Sequence, residues 1–329
     1  MSSKTKRKKF NQISKKSEIQ EIKPKVEIKS EIKRENDDFT KKFFSFGKIL
    51  IIIPIIILLV SIFSIGLKYH QTGEFINRGV SLKGGTTFTI SAPDIDIFEI
   101  ENRFSSRFPD REFNSRSLTE GTRQIGVILE SDLTDNEEIN DVIIILREEY
   151  NLVQADFSVE TMGSALGLSF FKQTMRALFL AFLFMAIVVF IYFRNVVPSM
   201  TVVLATFSDI VITIAIVNLL GINLSTAGIA AFLMLIGYSV DTNIVLTTKV
   251  LRSKEGDFYD RFKKAFKTGI TMTITTLVVV ISSYFIAESD IIKQIMLIIA
   301  IGLIVDIMNT WVQNASILRI YFNKKMKSE

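Results

Sequence analysis

Residues 224–248 read LSTAGIAAFLMLIGYSVDTNIVLTT, an apolar run interrupted near its middle by Gly237, Tyr238, Ser239, Asp241, Thr242 and Asn243. A hydrocarbon core of about 30 Å takes about 20 helical residues to cross, so this stretch reads as a membrane span with a carboxylate inside the bilayer. Such a residue costs about 3 kcal/mol or more on insertion scales unless it meets protein, water or a partner. Fold and function both turn on what surrounds it.

Spans of similar length recur at 49–67, 175–193, 201–220, 270–287 and 291–318, which makes six in all. The first, Ile49 to Leu67, is almost wholly Ile, Leu, Val and Phe. Its Pro54 is tolerable because neighbouring helices can satisfy the freed backbone groups. It is not expected to be a cleaved signal peptide, since 48 residues precede it and Leu67-Lys68-Tyr69-His70 follow it.

Charge predicts the orientation, because basic residues accumulate in short cytoplasmic segments. Lys and Arg outnumber Asp and Glu by 15 to 7 in residues 1–48, by 7 to 3 in 249–268 and by 4 to 1 in 319–329, whereas residues 68–172 hold 10 against 18. Both termini are therefore expected in the cytoplasm and residues 68–172 outside. The predicted organisation is a disordered basic tail over 1–48, a first span over 49–67, an external domain over 68–172, a five-helix bundle over 173–318 and a cytoplasmic tail over 319–329. The leading tail repeats a Glu-Ile-Lys theme and has too little apolar surface to offset the entropy of ordering it. Its lysines suit a solvated positive-inside role, with anionic lipid or RNA phosphates as the alternative contacts.

Within 68–172 the periodicity predicts a strand over 86–91, a helix over 94–108, strands over 112–118 and 122–130 around a Glu-Gly turn, a helix over 134–150 and a strand over 153–160. Thr134 and Glu137 fit a capping box, with Ile139, Val142, Ile143 and Leu146 on one face of the second helix. The order β-α-β-β-α-β is the split, ferredoxin-like arrangement. Ahead of it stands Gly79-Val80-Ser81-Leu82-Lys83-Gly84-Gly85-Thr86. Paired glycines read first as a tight turn into the strand, and second as a loop that contacts substrate.

Three carboxylates lie deep in apolar sequence: Asp209 in the third span, Asp241 in the fourth and Asp306 in the sixth. Gly302, Asp306, Asn309, Thr310 and Gln313 follow helical steps of three and four, as do Asp209 and Thr213, and Gly237 and Asp241. The polar faces are expected to point inward, where a shielded carboxyl group could load and unload a proton. A structural alternative has each Asp merely fixing helix register. Lys267, at the expected start of the fifth span, reads as a snorkelling anchor or as a counter-ion to a buried Asp.

Composition removes other classes. With no cysteine there is no disulfide, thiolate nucleophile or iron–sulfur cluster. The single histidine, His70, cannot build a multi-histidine metal site, and no GxxxxGK[ST] loop cradles a nucleotide. No metal, cofactor or enzymatic activity is expected.

At this point the motifs resemble a known family. Gly79–Thr86 resembles the Gly-Val-Asp-Phe-Arg-Gly-Gly-Thr signature of the SecD/SecF protein-export subunits, with Ser81 and Lys83 in place of the usual Asp and Arg. Leu235-Ile236-Gly237-Tyr238-Ser239-Val240-Asp241-Thr242-Asn243, followed by Leu-Thr-Thr and a loop with Gly256-Asp257-Phe258-Tyr259, is most similar to archaeal SecF. The resemblance covers roughly residues 49–318. It implies half of a twelve-span complex of the resistance-nodulation-division (RND) type. The partners it implies are a SecD-like subunit, the SecY-type channel, unfolded secreted or membrane proteins and membrane lipids, with no specific nucleic acid. It also implies proton coupling through Asp241, with Asp306 and Asp209 as relay or packing partners and Lys267 where the bacterial pattern has an Arg. Against it stand a translocon scaffold that uses no energy, and half of a small-molecule or ion exporter.

Overall fold

The computed structural model describes residues 49–120, 123–253, 257–287 and 289–326. The basic tail 1–48 and Gly121 of the Glu-Gly turn lie outside the described residues.

Among the described residues, six helices are long and apolar enough to cross a membrane. The first, α1, is Ile49–Thr72, with Pro54 inside it. A short turn of helix, α2, Val80–Lys83, leads into the α+β domain, built from β1 Gly85–Ile90, α3 Ile97–Arg107, β2 Phe113–Glu120, β3 Arg123–Ser131, α4 Asn136–Glu149 and β4 Phe157–Met162. The bundle follows with α5 Ser164–Phe193, α6 Val196–Leu219, α7 Thr226–Arg252, α8 Phe258–Ile286 and α9 Asp290–Met308. A π-helical segment, Asn309–Asn314, then continues into α10, Ala315–Met326.

The domain follows the predicted order. Its four strands are antiparallel in the order β2-β3-β1-β4, with Phe88 opposite Leu129 and Val159. Alternation places Phe88 and Ile90 in a core with Val127, Leu129, Ile100, Phe104, Val142 and Leu146, so α3 and α4 cover one face of the sheet. The cap of α4 differs from the expected box: Asp135, one residue later than Thr134, accepts from Glu137 N, while Asp96 caps α3 by accepting from Phe98 N and Glu99 N. Asp fills the site because its carboxylate also favours the helix N-terminus.

Two spans begin more than about ten residues earlier than hydropathy suggests. Helix α5 starts at Ser164, directly after the last strand, and α8 starts at Phe258, capped by the Asp257 side chain. Hydropathy reports where the apolar run begins, whereas helical backbone bonding continues through the polar Lys172, Gln173 and Arg176. Between α5 and α6 the chain turns at Arg194, whose φ of 55° closes the helix in the left-handed conformation.

Helices α6 and α7 supply much of the buried surface. Leu235, Phe232, Ile229, Ile210, Val217, Ile298, Ile299 and Leu303 form the main apolar cluster. Phe179, Phe184, Val188 and Ile191 of α5 and Ile52, Ile56, Val60 and Phe63 of α1 stay exposed, as lipid-facing helices require. The domain sits against the end of the bundle where α6 meets α7. Gly79 N donates to Leu224 O at 2.9 Å, Leu224 N to Asn77 O at 2.7 Å, and Asn223 Nδ2 to Glu130 at 3.1 Å. Lys293 Nζ, near the start of α9, donates to Thr119 O on the β2–β3 hairpin.

Candidate functional site

Asp209 on α6 and Asp306 on α9 are fully buried, each with 0% exposure. Asp209 accepts from Ser239 Oγ on α7 at 2.5 Å and from Asn309 Nδ2 in the π segment at 2.7 Å. Ser239 Oγ also lies 3.0 Å from Thr206 Oγ1, three residues before Asp209. Asp306 is reached by Thr242 Oγ1 on α7, at 2.9 and 3.1 Å from its two oxygens, and accepts from Thr310 Oγ1 at 2.8 Å. The network continues as Asn314 Nδ2 donates to Asn243 Oδ1 at 2.5 Å and Asn243 Nδ2 to Ser239 O at 2.8 Å.

Three spans are thus tied through two carboxyl groups, with hydroxyl and amide donors in place of cations. Among the described residues no Lys or Arg comes within ion-pair distance of either carboxyl. Hydrogen bonds offset part of the cost of burying a polar group, and a network of this kind specifies one arrangement of the helices that carry it. A carboxyl group is also an exchangeable proton site. Its pattern of donors and acceptors changes with its protonation, so the cluster can respond chemically to a proton.

Asp241 does not join the pair. It is exposed, one turn from the exposed Gly237 and two from the exposed Met234, on the opposite face of α7 from Ser239, Thr242 and Asn243. At about 100° per residue, Ser239 and Asp241 point about 200° apart. The expectation that all polar faces of the spans point into this chain's own bundle is therefore corrected for α7. Its motif is split, with Ser239 inside, Tyr238 half-buried, and Gly237 and Asp241 facing out. Lys267 is exposed as well and lies nine residues inside α8 rather than at its start. No Asp or Glu among the described residues pairs with it, so it is no counter-ion to the buried carboxyls within this chain.

The glycine-rich signature has a structural role. Gly84 has φ +89° and Gly85 φ +128°, conformations that side chains other than glycine's rarely adopt. A Cβ on Gly85 would strike Ser131 O, and a Cβ on Gly167 of α5 would lie 2.6 Å from Gly84 N. Thr86 Oγ1 donates to Leu133 O at 2.7 Å and lies 3.1 Å from Thr161 Oγ1. Gly79 pairs through its backbone with Leu224. Ser81 Oγ accepts from Thr226 N at 3.1 Å, and Lys83 pairs with Glu112. The turn reading explains these contacts, which fasten both connections of the domain to the bundle.

Sequence reasoning missed Thr206, and it groups Ser239, Thr242 and Asn243 around Asp241 rather than with Asp209 and Asp306. Thr206 lies one turn from Asp209, and Asn243 one turn from Ser239, so helical spacing marked both once the inward face was known. The π segment left no such mark.

This combination of six spans, a small four-stranded domain seated on one end and a polar cluster in the bundle defines a multi-pass membrane protein with the fold of half an RND-like transporter. Among solved structures it is similar to SecDF, a translocon-associated membrane protein from Thermus thermophilus, with a TM-score of 0.65 at 18% identity over 86% of this chain. The chain spans 38% of that longer polypeptide. The family model for the C-terminal region of the SecD/SecF protein-export membrane proteins matches residues 145–324. SecF of Pyrococcus furiosus is 37% identical over 282 residues, covering 86% of this chain and 93% of the relative. SecF of Methanocaldococcus jannaschii is 36% identical over 286 residues, covering 84% and 96%, and SecF of Haloferax volcanii 38% over 274 residues, covering 82% and 90%. The chain belongs to the SecF family of protein-export membrane proteins. Its role is in protein export.

Proposed function

We propose that the chain pairs with a SecD-like subunit, stands beside a SecY-type channel with its termini in the cytoplasm and its α+β domain outside, and uses proton movement through its intramembrane carboxyls to promote export of unfolded polypeptides. The observation that carries the reading is the Asp209–Asp306 cluster, which joins α6, α7 and α9 through groups whose hydrogen bonding depends on protonation. In the ionised form Asp306 accepts from Thr242 and Thr310; once protonated, one of its oxygens becomes a donor and this set of bonds has to rearrange. The helices then favour a second arrangement. Coupling of this kind requires the two arrangements to differ in proton affinity.

Helix α9 carries the displacement outward. Asp306 and Lys293 are 13 residues apart on it, about 20 Å at 1.5 Å per residue, and Lys293 holds the β2–β3 hairpin through Thr119. A shift at the cluster reaches the domain as movement of one rigid element, and the domain moves against an emerging chain. Asp241 supports the partner. A carboxylate on an exposed helix face cannot stay against lipid without a large cost, so a second subunit covering the Gly237–Asp241 face is the economical arrangement.

The test is secretion of a reporter polypeptide in cells expressing Asp241→Asn, Asp306→Asn or Asp209→Asn at the wild-type level. Loss of export with retained assembly supports proton coupling. Normal export in all three would leave the chain a scaffold whose aspartates serve only packing.

A further inference from the structure

Beyond the carboxyl pair, the sixth span stays polar in a way the cluster does not use. The π segment begins directly after α9, and its i→i+5 bonding marks a local departure from the regular ladder, a feature frequent at functional sites. Asn309 donates to Asp209, and Gln313 follows it by four residues. Asn314 donates to Asn243 of α7, and Thr247 follows Asn243 one turn further. Asn309, Gln313, Asn314 and Thr247 are at most 1% exposed. Even so, Asn309 Oδ1, both terminal atoms of Gln313, Asn314 Oδ1 and Thr247 Oγ1 have no hydrogen-bond partner.

Buried polar atoms are nearly always paired. These five are enclosed by their own chain, so a second subunit cannot reach them, and the partner has to be a molecule small enough to enter the bundle. Water is the smallest molecule that both donates and accepts, and internal waters bond to buried polar groups of this kind that otherwise lack partners. The other side of the pair is built differently. There Leu235, Phe232, Ile298, Ile299 and Leu303 pack as an apolar layer, and Thr213 Oγ1 is the one buried side-chain oxygen or nitrogen without a partner among the described residues of that half of the bundle. Past Thr247 the column meets Val250 and Leu318, members of a second apolar cluster.

We infer that the polar column from Asn309 and Gln313 through Asn314 to Thr247 takes up water and gives the carboxyl pair access from one side only, the end of the bundle where α5 meets α6, while the apolar layer shuts the domain side. In the orientation proposed above that end is cytoplasmic. Val250 and Leu318 close the column, and water fills it when that layer parts. The purpose of the column rests on the proposed proton coupling, but its existence does not.

The chain contains no cysteine, so single substitutions report local water without background. In full-length protein in oriented membrane vesicles, Gln313→Cys and Asn314→Cys are treated with a small charged methanethiosulfonate, with Leu303→Cys as the control in the apolar layer. At least tenfold faster modification from the cytoplasmic face than from the outer face, and than Leu303→Cys from either, is expected. Modification as slow as at Leu303→Cys, or faster from outside, overturns the inference. Since a buried cysteine can perturb folding, X-ray hydroxyl-radical footprinting of the unaltered chain gives a second reading. Trp311, whose buried Nε1 in the π segment also lacks a partner, should be oxidised several-fold faster than Met296 of the domain-side half, and equal rates overturn the inference. Fast modification in a chain whose export survives Asp306→Asn would keep the column and remove the coupling. Protected positions in a chain whose export needs Asp306 would keep the coupling and remove the column.

Discussion

Replacing Thr242 by Val tests the carboxyl cluster at its narrowest link. Thr242 Oγ1 lies 2.9 and 3.1 Å from the two oxygens of Asp306, while the other hydroxyl on that carboxyl, from Thr310, comes from the same span. Thr242 is therefore the side chain that ties Asp306 to α7. Valine keeps the branched shape and removes the donor. Side-chain hydrogen bonds between membrane helices average about 0.6 kcal/mol and reach about 1.7, and bonds to charged groups are worth about 1.5–3, so a loss of about 1–2 kcal/mol is expected. For a chain of this size that is about 1.5–3 °C in Tm. The assay is thermal unfolding of the purified protein in detergent, run beside export in cells, with Thr242→Ser as the variant that keeps the hydroxyl and should keep export. If Thr242→Val melts and exports like the wild type, the bond between α7 and Asp306 contributes nothing and the cluster does not hold these helices in register.

Three further outcomes follow from other contacts. Gly85→Ala places a Cβ against Ser131 O at φ +128° and should cost about 3 kcal/mol or more, seen as faster limited proteolysis within the α+β domain. Gly269→Val places atoms where Trp311 lies, whose Cη2 is 2.7 Å from an ideal Cβ. Because the chain has one Trp, displacement of α8 from the π segment should appear as a shift in intrinsic fluorescence together with a lower Tm. The Arg103 hydrogen bond holds the Glu149 carboxyl below its usual range. That pair therefore adds stability above the ordinary carboxylate pKa and loses it as pH falls through the lowered one. Glu149→Gln should lower Tm slightly at pH 7, and the difference should vanish in acid.

The parts legible from sequence were those written in periodicity. Apolar runs gave the six spans, and alternation in Phe88, Ile90, Val127 and Leu129 gave strands in the order the sheet adopts. The helical step from Gly237 to Asp241 gave a true face of α7. Which side of a helix is inward is a property of its neighbours, and Asp241 shows the limit: an exposed polar face reads in sequence like one turned into its own bundle. Helix starts at Ser164 and Phe258 escaped because hydropathy measures the membrane and not the backbone. The π segment escaped because a change from i→i+4 to i→i+5 bonding leaves no mark in composition. The roles of Gly85 and Gly167 depend on backbones brought together from far along the chain, Gly85 against Ser131 and Gly167 against Gly84, which local reading cannot supply.

The connection between β4 and α5 has one more consequence. The last strand ends at Met162 and the helix begins at Ser164, leaving Gly163 alone between them. With so short a joint, a tilt of the 30-residue helix is felt by the sheet as by the tip of a lever. At 1.5 Å per residue the arm is about 45 Å, so a rotation of about 10° about its far end sweeps the tip by about 8 Å. A reach of that order exceeds two residues of extended polypeptide, at about 3.3 Å each.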